Sequence, residues 1–276
     1  MRNLLSAEFL RLWKNHVFWA CAAIMAAMGL YMTVELHADM ARLGYVSFLD
    51  EVLLNYGVFH IVLAAVFSSV FIGTEYSGGT IRNKIIVGHK RGEIYSSMFI
   101  ICSTANIMIC GAYIIPSLLV GVPLLGIAST LSSVLVYLLC SFVMSMAVSS
   151  VFTMISFLSR SRTVSAIICL LLAIVLLYAG SFISGRLNAP EEYLSYYEET
   201  EDGSILVGEM VPNLAYVRGT EREVYEFFFD LLPSGQAIQF SGLAAERLWR
   251  LPLLSFAVIA VSTGTGLVMF RRKDLK

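Results

Sequence analysis

The longest stretch without a charged side chain determines which solvent this chain can fold in. No Asp, Glu, Lys or Arg occurs between Glu93 and Arg160, a run of 66 residues. A helix that crosses a bilayer needs about 20 apolar residues, so this run can supply two or three spans. Charged residues make up only 14% of the chain, whereas soluble domains carry about 25%. The sequence therefore predicts an all-α polytopic membrane protein whose main solvent is lipid.

Six membrane-spanning helices follow from the apolar runs of the whole chain. Within the uncharged run, Pro116, Gly121, Pro123 and Gly126 are expected to form a turn between two spans, since proline and glycine interrupt helices. We expect a single transmembrane domain over residues 1–276. Its predicted spans are residues 17–36, 57–73, 97–119, 131–158, 164–184 and 251–270.

The unequal distribution of basic residues predicts the orientation of these spans. Six spans place both termini on one side, and that side carries 13 Lys and Arg residues against six on the other. Because basic loops remain in the cytoplasm, we expect a protein of the plasma membrane with both termini in the cytoplasm. The loop at residues 74–96 is then cytoplasmic, and the large loop at residues 185–250 is extracytoplasmic.

A polar segment between the second and third spans, EYSGGTIRNKIIVGHKRGE at residues 75–93, is predicted to contain a short helix. Ser77 or Thr80 suits the start of this helix, and Gly88 suits its end. Ile85 belongs to its apolar face, while its basic residues face elsewhere. A short amphipathic helix of this kind is expected to lie at the membrane surface.

The same segment resembles the coupling loop of the type-2 ABC (ATP-binding cassette) transporter permeases. In that family a Glu-aromatic-x-x-Gly-Thr motif opens the loop between spans two and three, and a coupling helix there docks into a groove of the ATPase subunit. By this resemblance, coupling to the ATPase is assigned to Glu75, Tyr76, Gly79, Thr80, Arg82, Asn83 and Ile85. The segment AEFLRLWKN is similar to the family's N-terminal interfacial connecting helix, expected at residues 1–16, and FRRKDLK to its basic tail.

This resemblance implies a permease subunit that forms half of a pore with a second copy or a related permease. The chain has no G-x-x-x-x-G-K-[ST] phosphate-binding loop. We therefore expect that it is not an enzyme, and that ATP and Mg²⁺ bind a separate ATPase subunit. No cofactor, metal site or nucleic-acid surface is expected in the chain itself. By family analogy, the substrates are exported amphipathic peptides, including antimicrobial peptides, other antibiotics and drugs, or lipid-like compounds.

Two other functions are compatible with six apolar spans. An ion-coupled carrier usually needs charged residues within its spans, whereas here Glu35 and Glu75 lie at span ends and His60 is the only imidazole in a span. A ligand-sensing or signalling membrane anchor without transport is the other alternative, and the residues leave it open.

The fourth predicted span carries a hydroxyl at every fourth position, at Ser141, Ser145, Ser149 and Thr153. Small residues at this spacing allow helices to approach closely, and hydroxyl groups bond across such interfaces. The alternative is a weakly polar wall of a translocation path, to which Asn106 in the third span would contribute. The sequence is compatible with both helix packing and a translocation path.

In the large outer loop, Asp202 and Gly203 are predicted to form a hairpin turn. Thr220 and Glu223 have the spacing of a capping box for a helix that Pro233 ends. That helix is apolar and too short to span, so we expect it at the outer membrane surface.

The orientation is testable by accessibility. We expect Ser77→Cys and Ser161→Cys to be protected from an impermeant thiol reagent added outside intact cells, and Ser204→Cys to react. Mass-shift labelling, repeated after cell lysis as a control for reactivity, measures this. Labelling at position 77 from outside would reverse the assigned orientation.

Overall fold

The computed structural model describes residues 1–159, 161–194, 197–199, 205–243 and 245–273. Within these residues the chain is predominantly helical. The helices are α1 (Arg2–Trp13), α2 (His16–Leu43), α3 (Asp50–Leu53), α4 (Tyr56–Ser77), α5 (Thr80–Ile86), α6 (Arg91–Leu125), α7 (Leu131–Leu158), α8 (Arg162–Leu187), α9 (Gly219–Leu231), α10 (Pro233–Ser241) and α11 (Arg250–Arg272).

Six of these helices are long and apolar enough to cross a membrane, namely α2, α4, α6, α7, α8 and α11. The predicted all-α fold with six spans is therefore confirmed. Side chains cap three of the spans: Asn15 Oδ1 accepts the amide of Phe18 at the start of α2, Thr130 Oγ1 accepts that of Ser133 at the start of α7, and Ser161 Oγ accepts that of Val164 at the start of α8. These caps provide acceptors for amide groups that have no partner within the helix.

The prediction of a turn at residues 116–126 is wrong for most of these residues, which are helical. Pro116 and Pro123 lie inside α6, which continues to Leu125, and only Gly126 ends the helix, with a left-handed φ of 71°. Proline is tolerated in membrane helices because neighbouring helices and hydroxyl side chains satisfy the freed backbone groups. Ser117 Oγ, next to Pro116, donates to the carbonyl oxygen of Tyr113 at 2.8 Å.

Helix α4 lies at the centre of the bundle. In the most apolar 18 residues of the span Asp50–Ser77, to which α4 belongs, 61% are buried inside the protein. The corresponding value for α8 is 22%. Helices α2, α6, α7 and α8 all contact α4. The aromatic side chains of Tyr56, Phe67 and Phe71 on α4 are fully buried. A helix that is apolar on all sides is suited to this position.

The segment between α8 and α11 folds back onto the bundle. Helix α10 packs against α4, α7 and α8, and its residues Pro233 to Ala237 are buried. The expected capping box is wrong: α9 begins at Gly219 without a side-chain cap, so Thr220 lies within the helix. Pro233 follows the end of α9 and also starts α10, because its fixed φ suits the first helical turn.

Two short β-ladders lie in the same segment, in which the sequence predicted a hairpin turn. β1 (Glu192–Leu194) pairs antiparallel with β4 (Met210–Pro212). Between them, β2 (Tyr197–Glu199) pairs antiparallel with β3 (Ile205–Val207). The turn predicted at Asp202 and Gly203 lies outside the described residues.

Close packing of α2 on α6 depends on Gly29. A Cβ atom at this position would lie 2.6 Å from both the carbonyl oxygen of Tyr113 and Ser117 Oγ. We expect Gly29→Ala to destabilise the protein by about 1–3 kcal/mol, the usual cost of overpacking. Thermal unfolding in detergent measures the change.

Gly111→Ala in α6 is the matched control, since nothing lies within 4 Å of its added Cβ. We expect this variant to unfold at the wild-type temperature or above, because alanine favours helix. Equal destabilisation by the two substitutions would contradict the assigned helix contact.

Candidate functional site

The polar segment that follows α4 forms a reversal and a short helix. Helix α4 continues to Ser77, and Gly79, with a left-handed φ of 67°, is the N-cap residue of α5. Neither Ser77 nor Thr80 caps α5 through its side chain; Thr80 Oγ1 instead donates to the carbonyl of Glu75 at 3.1 Å. Gly88, with a φ of 100°, follows the end of α5. Glycine adopts these left-handed conformations without a steric cost.

Four charged side chains meet where α1, α4 and α5 converge, and we call them the four-charge cluster: Glu8, Arg11, Glu75 and Lys84. Lys84 Nζ donates to the carboxylates of both Glu8 and Glu75. Arg11 Nη1 also donates to both carboxylates, at 2.9 Å for Glu8. Each acid therefore pairs with each base, and the cluster joins the three helices.

Arg11 is held by more than its ion pairs. Its Nη2 donates to the carbonyl oxygen of Phe71 at 2.6 Å, and its guanidinium lies 3.8 Å from the centroid of the Phe71 ring. Cation–π contacts and charge-assisted hydrogen bonds both favour this placement. The contacts fix α1 against the last turns of α4.

Burial makes the cluster sensitive to the loss of any member. Glu8 is 2% exposed and Glu75 3% exposed. Burial lowers the pKa of Lys84 from its ordinary value, although the hydrogen bond with Glu8 opposes this effect. Lys84 therefore loses its proton at a lower pH than an exposed lysine does. Removing one partner of a buried ion pair typically costs about 3–5 kcal/mol, because the other charge stays desolvated.

The structure places the predicted coupling residues in two groups. Glu75, Tyr76, Gly79, Thr80 and Ile85 contact the bundle or form the reversal, with the Tyr76 hydroxyl donating to the carbonyl of Phe157 at 2.7 Å and Ile85 packing against the core. Arg82 and Asn83 are exposed. The Glu75 carboxylate pairs with Arg11 and Lys84.

Sequence reasoning missed Glu8, Arg11 and Lys84. One signal was available, since the buried residues of α1 are Leu4, Glu8 and Leu12, spaced four apart. A glutamate on the apolar face of a helix needs a buried cationic partner. Its partner on another helix has no signature in sequence spacing.

An exposed apolar pair follows the cluster along the chain. Ile86 is 72% exposed and Val87 79% exposed, at the end of the bundle that carries α1 and α5. Arg82 and Asn83, also exposed, lie on the same short helix. These four residues therefore form a surface of apolar and polar side chains that is exposed to solvent.

The hydroxyl stripe of α7 is buried between helices of this chain. Its residues Ser141, Ser145, Ser149 and Thr153 are each 2% exposed or less. Ser141 Oγ bonds the Tyr56 hydroxyl, and Ser145 Oγ lies 2.9 Å from His60 Nε2, both on α4. Asn106 Nδ2 on α6 donates to Ser149 Oγ at 2.8 Å. The stripe thus carries polar contacts between α7 and its neighbours α4 and α6.

Comparison with known proteins identifies the class to which this bundle belongs. Residues 4–176 match the family described as ABC-2 family transporter protein. The match covers more than half of the chain, and it includes the four-charge cluster and the hydroxyl stripe. No curated protein matches the chain.

The chain therefore belongs to the ABC-2 transporter family. It is a permease subunit of an ATP-binding cassette transporter and a multi-pass membrane protein. Proteins of this class work with an ATP-binding cassette partner.

The packing role of the hydroxyl stripe is testable at its centre. We expect Ser145→Leu to reduce the yield of folded protein, because a larger side chain at a fully buried position separates α7 from α4. The expected destabilisation is about 1–3 kcal/mol. Fluorescence-detected gel filtration after heating measures both yield and thermal stability.

Ser132→Leu is the control, since it makes the same change at an exposed position of α7. We expect it to behave like the wild type. A stable Ser145→Leu variant with altered transport would instead favour a translocation path.

Proposed function

We propose that the chain is the permease subunit of an exporter and that α5 receives the movement of the ATPase. The observation that carries this proposal is the four-charge cluster. Through it, the Glu75 carboxylate on α4 bonds Lys84 on α5 and Arg11 on α1 at the same time. A push on α5 therefore acts on the end of the central helix and on the N-terminal helix together.

The docking surface we propose consists of Arg82, Asn83, Ile86 and Val87. Exposed apolar side chains next to polar ones are typical of protein interaction sites, and a groove on the ATPase would bury Ile86 and Val87. Ile85 serves a different purpose, because it packs against the bundle and keeps α5 seated. This division separates residues that dock from residues that transmit.

Transmission through the cluster requires that the connected helices move as units. Packed side chains have discrete arrangements and do not deform continuously. Polar contacts between α4, α6 and α7 join the central helices, so a displacement of the end of α4 is passed into the bundle. The expected result is alternation between an inward-open and an outward-open pore.

We propose that two permease subunits, identical or related, enclose the path and that two ATPase subunits bind ATP and Mg²⁺. The basic residues near the termini favour an orientation with both termini in the cytoplasm of a cell bounded by the plasma membrane. Among the described residues, the polar contacts of the central helices involve hydroxyl, amide, thiol and imidazole groups. Such an uncharged interior suits amphipathic peptides, antibiotics or lipid-like compounds better than small ions.

The coupling role predicts a specific defect for Glu75→Gln. We expect the ATPase subunit still to co-purify and to hydrolyse ATP, while transport falls by about tenfold or more, within the usual range of coupling energies. Uptake of a fluorescent amphipathic peptide into inside-out vesicles, together with ATPase activity, measures both. Lys14→Gln, which removes an exposed charge at the same end, is expected to leave both activities unchanged.

Stability and coupling are separated by a double variant. Glu75→Gln combined with Lys84→Gln leaves Glu8 paired with Arg11, so charge balance in the cluster is restored. We expect the double variant to regain thermal stability while transport remains low, because α5 is no longer tied to α4. Full transport in either variant would contradict the proposed coupling.

The docking surface is tested separately by Ile86→Asp. A charge at this exposed position would be desolvated in the interface, so we expect co-purification of the ATPase to fall by about tenfold or more. Leu43→Asp is the matched control, an exposed apolar residue at the end of α2 away from α5. Unchanged co-purification of Ile86→Asp would remove this residue from the docking surface.

A further inference from the structure

A cavity that the coupling role does not use lies at the same end of the bundle as α5. It opens to solvent and lies between the first turn of α6 and the last turns of α11. The residues that matter for its chemistry are Lys90, Arg91, Gly92, Glu93, Leu267 and Arg271.

Positive charge is in excess in this cavity. Lys90, Arg91 and Arg271 face a single carboxylate, that of Glu93. Glu93 is already engaged, since it accepts the backbone amide of Lys90 at 3.2 Å and lies 3.9 Å from His89 Nδ1. Among the residues that the structure describes, the side chains of Lys90 and Arg271 have no carboxylate within 4 Å. The cavity therefore attracts an anion.

The walls of the cavity are held in place by the backbone contacts of Arg91. Its Nη1 donates to the carbonyl oxygens of Phe270, Arg271 and Lys273 at 3.1, 2.9 and 2.6 Å. These bonds join the start of α6 to the end of α11. Cations at the C-terminal end of a helix also interact favourably with its dipole.

The second cation, Arg271, lies beside Gly92 at the start of α6. A Cβ atom built on Gly92 would lie 3.4 Å from Nη2 of Arg271, which is van der Waals contact. The guanidinium of Arg271 therefore lies along the first turn of α6. Its outer edge stays exposed and available to a ligand.

The position of the cavity identifies the kind of anion. It lies at the ends of two membrane-spanning helices, where the phosphate groups of lipids are found. Leu267, one turn before Arg271, gives it an apolar wall on the membrane side. We propose that this cavity binds the phosphate of an anionic phospholipid headgroup, with an acyl chain along Leu267. Basic pockets between membrane helices are known to bind such headgroups.

A bound lipid would strengthen the junction at which the coupling segment rejoins the bundle. Helix α5 ends at Ile86, and α6 begins at Arg91 only a few residues later. A phosphate shared between Lys90 and Arg271 would add a bridge between α6 and α11 to the bonds that Arg91 makes. The binding itself does not depend on the proposed coupling role.

The test uses the purified full chain in detergent and native mass spectrometry. We expect dioctanoyl phosphatidylglycerol to bind more tightly than dioctanoyl phosphatidylcholine, which has the same chains and no net charge. In Lys90→Gln/Arg271→Gln, binding of phosphatidylglycerol is expected to weaken by about 25-fold, from about fivefold for each basic residue. Lys14→Gln/Arg82→Gln, which removes two exposed charges from the same end outside the cavity, is expected to bind like the wild type.

Three results would overturn the proposal. They are unchanged binding in the cavity variant, equal binding of the two lipids, and displacement of phosphatidylglycerol by inorganic phosphate at equal concentration. The last result would assign the cavity to a soluble phosphate compound. Gel filtration verifies that the double variant is folded; if it is not, Lys90→Gln alone, at an exposed position, gives the same comparison with an expected loss of about fivefold.

Discussion

A carboxylate buried at the end of the central helix needs cationic partners. This need determines how α1 and α5 pack at that end of the protein. Glu75 is 3% exposed and is neutralised by side chains from two other helices. Because a desolvated charge without a partner is costly, α1 and α5 are held where Arg11 and Lys84 can reach it. The same requirement anchors these helices to the end of α4, so α5 cannot move without disturbing the cluster.

Inside the bundle the contacts have a different character. Uncharged polar groups on α7 bond His60 on α4 and Asn106 on α6, so the central helices are joined without buried ions. In lipid there is no hydrophobic force to drive helices together, and packing and hydrogen bonds take its place. Close approach at Gly29 adds to these contacts on the α2 side. The charged cluster at one end thus acts on a bundle whose helices are already connected.

Several features of the fold were predicted from the sequence, by its composition and by its resemblance to a family. Long apolar runs separated by charged segments predicted six spans, and the Glu-Tyr-x-x-Gly-Thr motif indicated the segment at which α4 gives way to a short helix. Two predictions that rested on local sequence rules failed, one in the membrane-spanning helix α6 and one at the start of α9. Pro116 and Pro123 did not end α6, and Thr220 did not cap α9. Proline is tolerated inside membrane helices such as α6.

The sequence by itself determined the solvent, the number of spans and the position of the polar segment between the second and third spans, because these depend on how apolar and charged residues alternate along the chain. Only the tertiary structure decided which charges meet. Glu8 and Lys84 are 76 residues apart and Arg11 and Glu75 are 64 apart, yet they form one cluster. Nothing in local spacing links them. Their pairing follows from the packing of α1 and α5 against the end of α4, where burial requires that each charge find its opposite.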